Sequence, residues 1–155
     1  MKKGKLIFFC GKMGAGKTTL AARKVDEMDA VLISEDELLS KLYEGKVTSV
    51  SDYKYYSEKL KPVVFNLSQQ ILSKGINAIL DFPANTERQR QWLRSISDRI
   101  NAEHICYYVE RSDEVCINQL LKRGNANTDT VEMFYAITQY FVAPSDDENL
   151  NIYIV

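Results

Sequence analysis

The clearest chemistry in the chain lies in eight consecutive residues. Gly11-Lys12-Met13-Gly14-Ala15-Gly16-Lys17-Thr18 satisfies the spacing G-x-x-x-x-G-K-[ST]. Glycines so placed let successive backbone N–H groups curl around phosphate oxygens, and a helix opening near Lys17 adds the positive end of its dipole. Lys17 puts a charge between the β- and γ-phosphates, and the Thr18 hydroxyl suits Mg²⁺. The spacing predicts a nucleoside triphosphate held with Mg²⁺ by residues 11–19, Gly11 to Thr18 and the adjoining Thr19. Lys12 either adds positive potential to this loop or faces solvent.

Carboxylates at two other places could complete the chemistry. Asp81 closes the apolar run Ile76-Asn77-Ala78-Ile79-Leu80-Asp81, where it could share the Mg²⁺ shell with Thr18; otherwise it begins a turn before Pro83. Glu35, Asp36 and Glu37 follow the run Ala30-Val31-Leu32-Ile33-Ser34. In-line phosphoryl transfer needs a carboxylate near the attacking hydroxyl, and the carboxyl end of a strand beside the first is where a parallel sheet places ligands. Asp36 is the candidate base and Glu35 its rival; the alternative is that these acids only stabilise a helix start.

The residues after Asp81 separate the enzyme classes. No glycine lies three residues on and no Asn-Lys-x-Asp occurs, which argues against a signalling GTPase. Phe82 stands where motor-type ATPases carry a water-polarising glutamate. A transferase to a hydroxyl acceptor fits best; the other readings are a regulatory ATPase and a module that senses ATP without turning it over.

Other candidates carry weaker signals. Arg123 borders the loop-like Gly124-Asn125-Ala126-Asn127-Thr128-Asp129 and could meet γ-phosphate charge, or serve only the end of its helix. Arg90 and Arg94 share a helix face expected to be solvated, which leaves Arg88, nearest the helix start, as the candidate for an anionic substrate group. Among Tyr43, Tyr53, Tyr55 and Tyr56, the apolar stripe absorbs Tyr53 and Tyr56, so Tyr55 is the one free to stack on a base or sugar. His104 is the sole histidine, which argues against a histidine metal site or triad. Cys10, on a buried strand, reads as packing.

These groups require a scaffold of strands alternating with helices. Short apolar runs at Lys5 to Cys10, Ala30 to Ser34, Ile76 to Asp81, His104 to Glu110 and Asn151 to Val155 read as five strands. Helical patterns fill the gaps. One runs from Tyr53 to Ile71, with Pro62 expected to kink it or start a second piece; Thr86 and Ser112 are expected to cap two others. The pattern predicts an α/β fold with a parallel sheet covered by helices on both faces.

Composition sets the outer bounds. A chain of 155 residues with 45% hydrophobic and 26% charged residues suits one globular domain, residues 1–155. No apolar stretch approaches a membrane span, and Met1-Lys2-Lys3 leads into a strand; both favour a cytoplasmic location and no membrane partner. Cys10, Cys106 and Cys116 make no disulfide framework. A net charge of -1 predicts a small acceptor over long nucleic acid and leaves oligomeric state open.

In Phe9 to Thr18, Ser34-Glu35-Asp36-Glu37, Leu80-Asp81-Phe82-Pro83-Ala84-Asn85-Thr86 and Arg123-Gly124-Asn125, the chain resembles the small P-loop kinases related to phage polynucleotide kinase, zeta toxin and chloramphenicol phosphotransferase. It is most similar to short bacterial ATP-binding, AAA domain-containing proteins of that group. The resemblance implies the P-loop nucleoside triphosphate hydrolase fold, with a five-stranded sheet ordered 2-3-1-4-5. It also implies ATP with Mg²⁺, Asp36 as proton acceptor, Arg123 as a lid arginine, and an acceptor-side wall in the tyrosine-rich segment.

Overall fold

The computed structural model describes residues 2–125 and 129–155. Its elements are β1 (Leu6–Cys10), α1 (Lys17–Met28), β2 (Ala30–Ser34), α2 (Glu35–Leu42), α3 (Val50–Ser73), β3 (Asn77–Asp81), α4 (Glu87–Asp98), β4 (His104–Tyr108), α5 (Asp113–Arg123), α6 (Val131–Thr138), a 3₁₀ turn (Asp146–Glu148) and β5 (Ile152–Ile154). The five strands pair in the order β2-β3-β1-β4-β5, all parallel. This is the P-loop nucleoside triphosphate hydrolase fold expected from the resemblance.

The central strand β1 is wholly buried, and its side chains alternate between two cores. Leu6, Phe8 and Cys10 pack with Leu60 and Val64 of α3 and Leu93 and Ile96 of α4. Ile7 and Phe9 face the opposite layer, with Leu20 of α1, Cys116 and Leu120 of α5 and Phe134 of α6. All three cysteines are buried and free.

Two expectations change. Pro62 does not start a second piece: the helix over it is one element, α3, and burial of Leu60 and Val64 on either side offsets the backbone bond a proline removes. Strand β2 is not covered on both faces, because it is a sheet edge, and Val31 and Leu32 are about 40% exposed.

Local sequence explains the helix starts. The side chains of Ser34, Ser49, Thr86, Ser112 and Thr130 each accept a backbone N–H in the first turn of α2 to α6. Helix α1 differs: its N-cap is Gly16, with no side-chain cap and no acidic residue in its first turn.

Candidate active site

The open end of α1 faces a cleft of about 1310 Å³ at the carboxyl edge of the sheet. Two glycines bring the loop there. Gly14 has φ 80°, and a Cβ on it would lie 2.4 Å from the Cys116 carbonyl oxygen; Gly16 has φ 99°. A side chain at either would meet backbone strain, and one at Gly14 would also clash with α5. The first N–H groups of α1 are left for an anion, so the cradle fits a phosphate.

The Lys17 ammonium donates to the Gly11 carbonyl within the loop, and burial holds its pKa below the usual lysine value. The Thr18 hydroxyl donates to Asp81 Oδ2 at 3.1 Å. Burial raises the Asp81 pKa; the Thr18 hydrogen bond opposes this, Asp36 adds to it and Lys17 opposes it. A hydroxyl and a carboxylate paired beside the phosphate loop are the hard oxygen donors that Mg²⁺ takes. In the β2–β3 register Ser34 lies opposite Asp81. The next residues, Glu35 and Asp36, consequently reach the same cleft.

Glu35 and Asp36 differ sharply in surroundings. Asp36 is exposed at the cleft wall. Glu35 is 3% exposed and accepts hydrogen bonds from the Tyr53 hydroxyl and, at 2.8 Å, from Ser57 Oγ. Burial pushes its pKa up against those two bonds. With both oxygens engaged, Glu35 anchors α2 to α3, and Asp36 has the access to solvent and ligand.

The aromatic assignment changes. Tyr53 lines the cleft, whereas Tyr55 lies outside it, 58% exposed, edge-on to Tyr56 and beneath the Lys59 ammonium. The arginines change too. Arg88 is exposed and does not line the cleft. Arg90, expected on a solvated face, is 1% exposed. It makes a bidentate pair with Glu148 at 2.7 and 3.1 Å and donates to the carbonyls of Ala84 and Val142. Arg94 bonds Asp98 and the carbonyls of Glu148 and Asn149.

Lys12 turns away from the cleft to pair with Asp113 at 2.7 Å; Met13, Ala15 and Thr19 line the cleft with the glycines and Lys17. Arg123 reaches the cleft from the end of α5 and is gripped by both oxygens of Asp129 at 2.8 and 2.7 Å. Asp129 is 5% exposed. The pair raises the Arg123 pKa. Of the loop expected at 124–129, residues 126–128 lie outside the described residues. His104 accepts the Asn151 N–H, and among the described residues no cluster of histidine, cysteine and acidic residues could hold a metal by itself.

Sequence reasoning passed over Asn85, whose Oδ1 accepts the Gly11 N–H at 3.3 Å and ties the segment after Asp81 to the phosphate loop. It also passed over Asp129 as the partner of Arg123. Their polarity was visible, but neither spacing points to a partner.

The AAA domain family matches residues 6–142. The UMP-CMP kinase of Danio rerio is 26% identical over 141 residues, spanning 81% of this chain and 70% of that protein. The human UMP-CMP kinase is 25% identical over 135 residues, spanning 79% and 68%. Among solved structures, a putative kinase from Chloroflexus aurantiacus superposes with a TM-score of 0.76 at 16% identity, over all of this chain and 86% of the other. The APS kinase of Mycobacterium tuberculosis, in complex with AMPPNP and APS, gives 0.69 at 16% identity, over all of this chain and 89% of the other. With its phosphate loop, sheet order and family match in agreement, this chain belongs to the AAA domain family, as a small P-loop kinase-like protein.

Proposed function

We propose that the chain is an ATP-dependent phosphotransferase that moves the γ-phosphate of Mg-ATP to a hydroxyl of a small-molecule or nucleotide acceptor. One observation carries the reading: the uncapped α1 terminus, the Thr18–Asp81 pair and the exposed Asp36 carboxylate share one cleft at the ends of adjacent parallel strands. The kinase relatives support the phosphotransferase part of the reading.

The backbone of Gly11 to Thr19 cradles the triphosphate, and Lys17 balances charge at its β,γ end. Thr18 and Asp81 would hold Mg²⁺, which when bound neutralises charge building on the phosphoryl oxygens. The acceptor oxygen attacks the γ-phosphorus and gives its proton to the Asp36 carboxylate; the bond from that phosphorus to the β–γ bridging oxygen breaks, and ADP leaves. Arg123 supplies charge from the opposite wall, with Asp129 fixing its position. Glu35 supports the acceptor side through Tyr53, while Arg88 and Tyr55 lie outside the cleft.

A screen of sugars, nucleosides, small alcohols, nucleoside monophosphates and RNA ends with labelled ATP tests the reading. Transfer to a hydroxyl, with slow hydrolysis in its absence, is expected. Fast turnover without acceptor would favour a regulatory ATPase, and no turnover with any acceptor an ATP-sensing module. No helix among the described residues is long and apolar enough to cross a membrane.

A further inference from the structure

The cleft is electrically divided along the sheet. Strands β2 and β3 lie on one side of β1, and β4 and β5 on the other. On the β2–β3 side the lining consists of Glu35, Asp36 and Asp81 with Tyr53, Phe82 and Asn85, besides Pro83. No lysine or arginine lines that side among the described residues. On the β4–β5 side stand Arg111, Lys122 and Arg123; Asp129, engaged by Arg123, and Val155, whose backbone oxygen accepts from Arg111, line the same side.

Helix α1 divides its own groups the same way. Thr18 reaches Asp81 of β3. Arg23 is seven residues beyond Gly16 and so shares its helical face, the face on which a Cβ at Gly16 would approach Gln119 of α5. Arg23 therefore belongs to the basic half.

The cations that could have served the acidic half are engaged elsewhere. Arg90 is buried against Glu148, and Arg94 against Asp98 and two carbonyls. Lys61, on α3, lies over the Trp92 ring beside Glu58 and does not line the cleft. Arg88 is outside it.

Nucleotide phosphates take the basic half and the loop, so an acceptor must enter beside Asp36 and Tyr53. We infer that this acceptor is an uncharged or amino-bearing hydroxyl compound, and that the site discriminates against acceptors carrying a phosphate, sulfate or carboxylate. An anionic group there would lose hydration beside carboxylates, and the cation that acts on Asp36 across the cleft, Arg123, is already held by Asp129 and faces the nucleotide phosphates. Mg²⁺ would engage Asp81, and burial pushes the Glu35 pKa up; the Asp36 carboxyl group is the one of the three that stands exposed at the cleft wall. The Tyr53 and Phe82 rings offer an apolar wall that suits a sugar face or an alkyl ammonium group.

The inference rests on the phosphotransferase reading, and its test has two arms. Cationic and anionic nitroxides of equal size, added to the nucleotide-free protein, report local potential through nuclear relaxation whatever the acceptor's skeleton. Without nucleotide the loop cations act against the expected result. The backbone amides of residues 35–37 and Phe82 should be relaxed about twofold or more strongly by the cationic probe, and those of Arg111 and Lys122 by the anionic one. Asp36→Asn should reduce the first preference. Equal or reversed effects at residues 35–37 and Phe82 would overturn the inference.

In the second arm, neutral, amino and phosphorylated forms of each skeleton are compared in phosphoryl transfer. The phosphorylated form should be at least about tenfold poorer in kcat/KM; equal or better turnover of it would also overturn the inference. Absence of transfer to every compound, with the probe preference intact, would remove the kinase reading and leave the charge preference standing.

Discussion

Asp81 ends β3 and Asp36 lies in the first turn of α2, just beyond the neighbouring β2, yet the proposed reaction asks different things of them. Asp36→Asn removes a proton acceptor that makes no contact with the phosphate loop, so ATP affinity should persist while kcat falls by about a hundredfold or more. Asp81→Asn weakens the partner of Thr18, so raising Mg²⁺ should recover part of its loss. Steady-state kinetics over a Mg²⁺ series separates the two; equal loss in both variants, with no Mg²⁺ rescue, would refute the division. At this scale the sequence was most legible where chemistry sits in consecutive residues, as in residues 11–18. It misled where a choice depended on side-chain direction. Tyr53 and Tyr55 are two apart on one helix, and the apolar stripe that absorbed Tyr53 also aims its hydroxyl at Glu35. Lys12 lies inside the motif, but Asp113 draws it outward across 101 positions of sequence.

Helix α4 shows what periodicity alone cannot convey. Its capping box at Thr86 was readable in part, because Thr86 and Gln89 are close in sequence. Arg90 was not, since its partner Glu148 lies 58 residues on. Burying this pair joins α4 to the 3₁₀ turn before β5, and Arg90→Met would leave the Glu148 carboxylate without its cation, with only the Ser145 N–H still donating to it among the hydrogen bonds described. A loss of about 3 kcal/mol or more is expected in denaturant unfolding, largely recovered in Arg90→Met with Glu148→Leu. The same pair makes stability depend on acid. Burial raises the Glu148 pKa, but the Arg90 guanidinium and the Ser145 N–H outweigh it and hold the pKa below its ordinary value of 4.5. The contribution is complete above that value and is lost as pH falls through the folded pKa. Glu148→Gln should flatten this acid limb, as followed by melting temperature against pH. Strand order was legible through the resemblance, and the edge character of β2 follows only once that order is known.

The molecule as a whole is nearly neutral, but its charge is sorted across one cleft, and a nucleotide would bridge the loop of β1 to the end of α5. Saturating Mg-ATP at about 100 times its Kd should add about 2.7 kcal/mol, or about 5–10 °C in melting temperature for a chain of this size. Lys17→Ala should abolish most of that shift in a thermal melt, and an undiminished shift would place the nucleotide elsewhere. The burial of Cys10, Cys106 and Cys116 has a practical consequence. Each thiol is fully buried, and burial raises the pKa of each, that of Cys106 to about 12, so the reactive thiolate is scarce as well as shielded. Cys10 adjoins the phosphate loop and Cys116 lies beneath Gly14, while Cys106 occupies the middle of β4. The chain thus carries its own three-position clock, in which a thiol reagent counts openings of the folded state instead of modifying its surface.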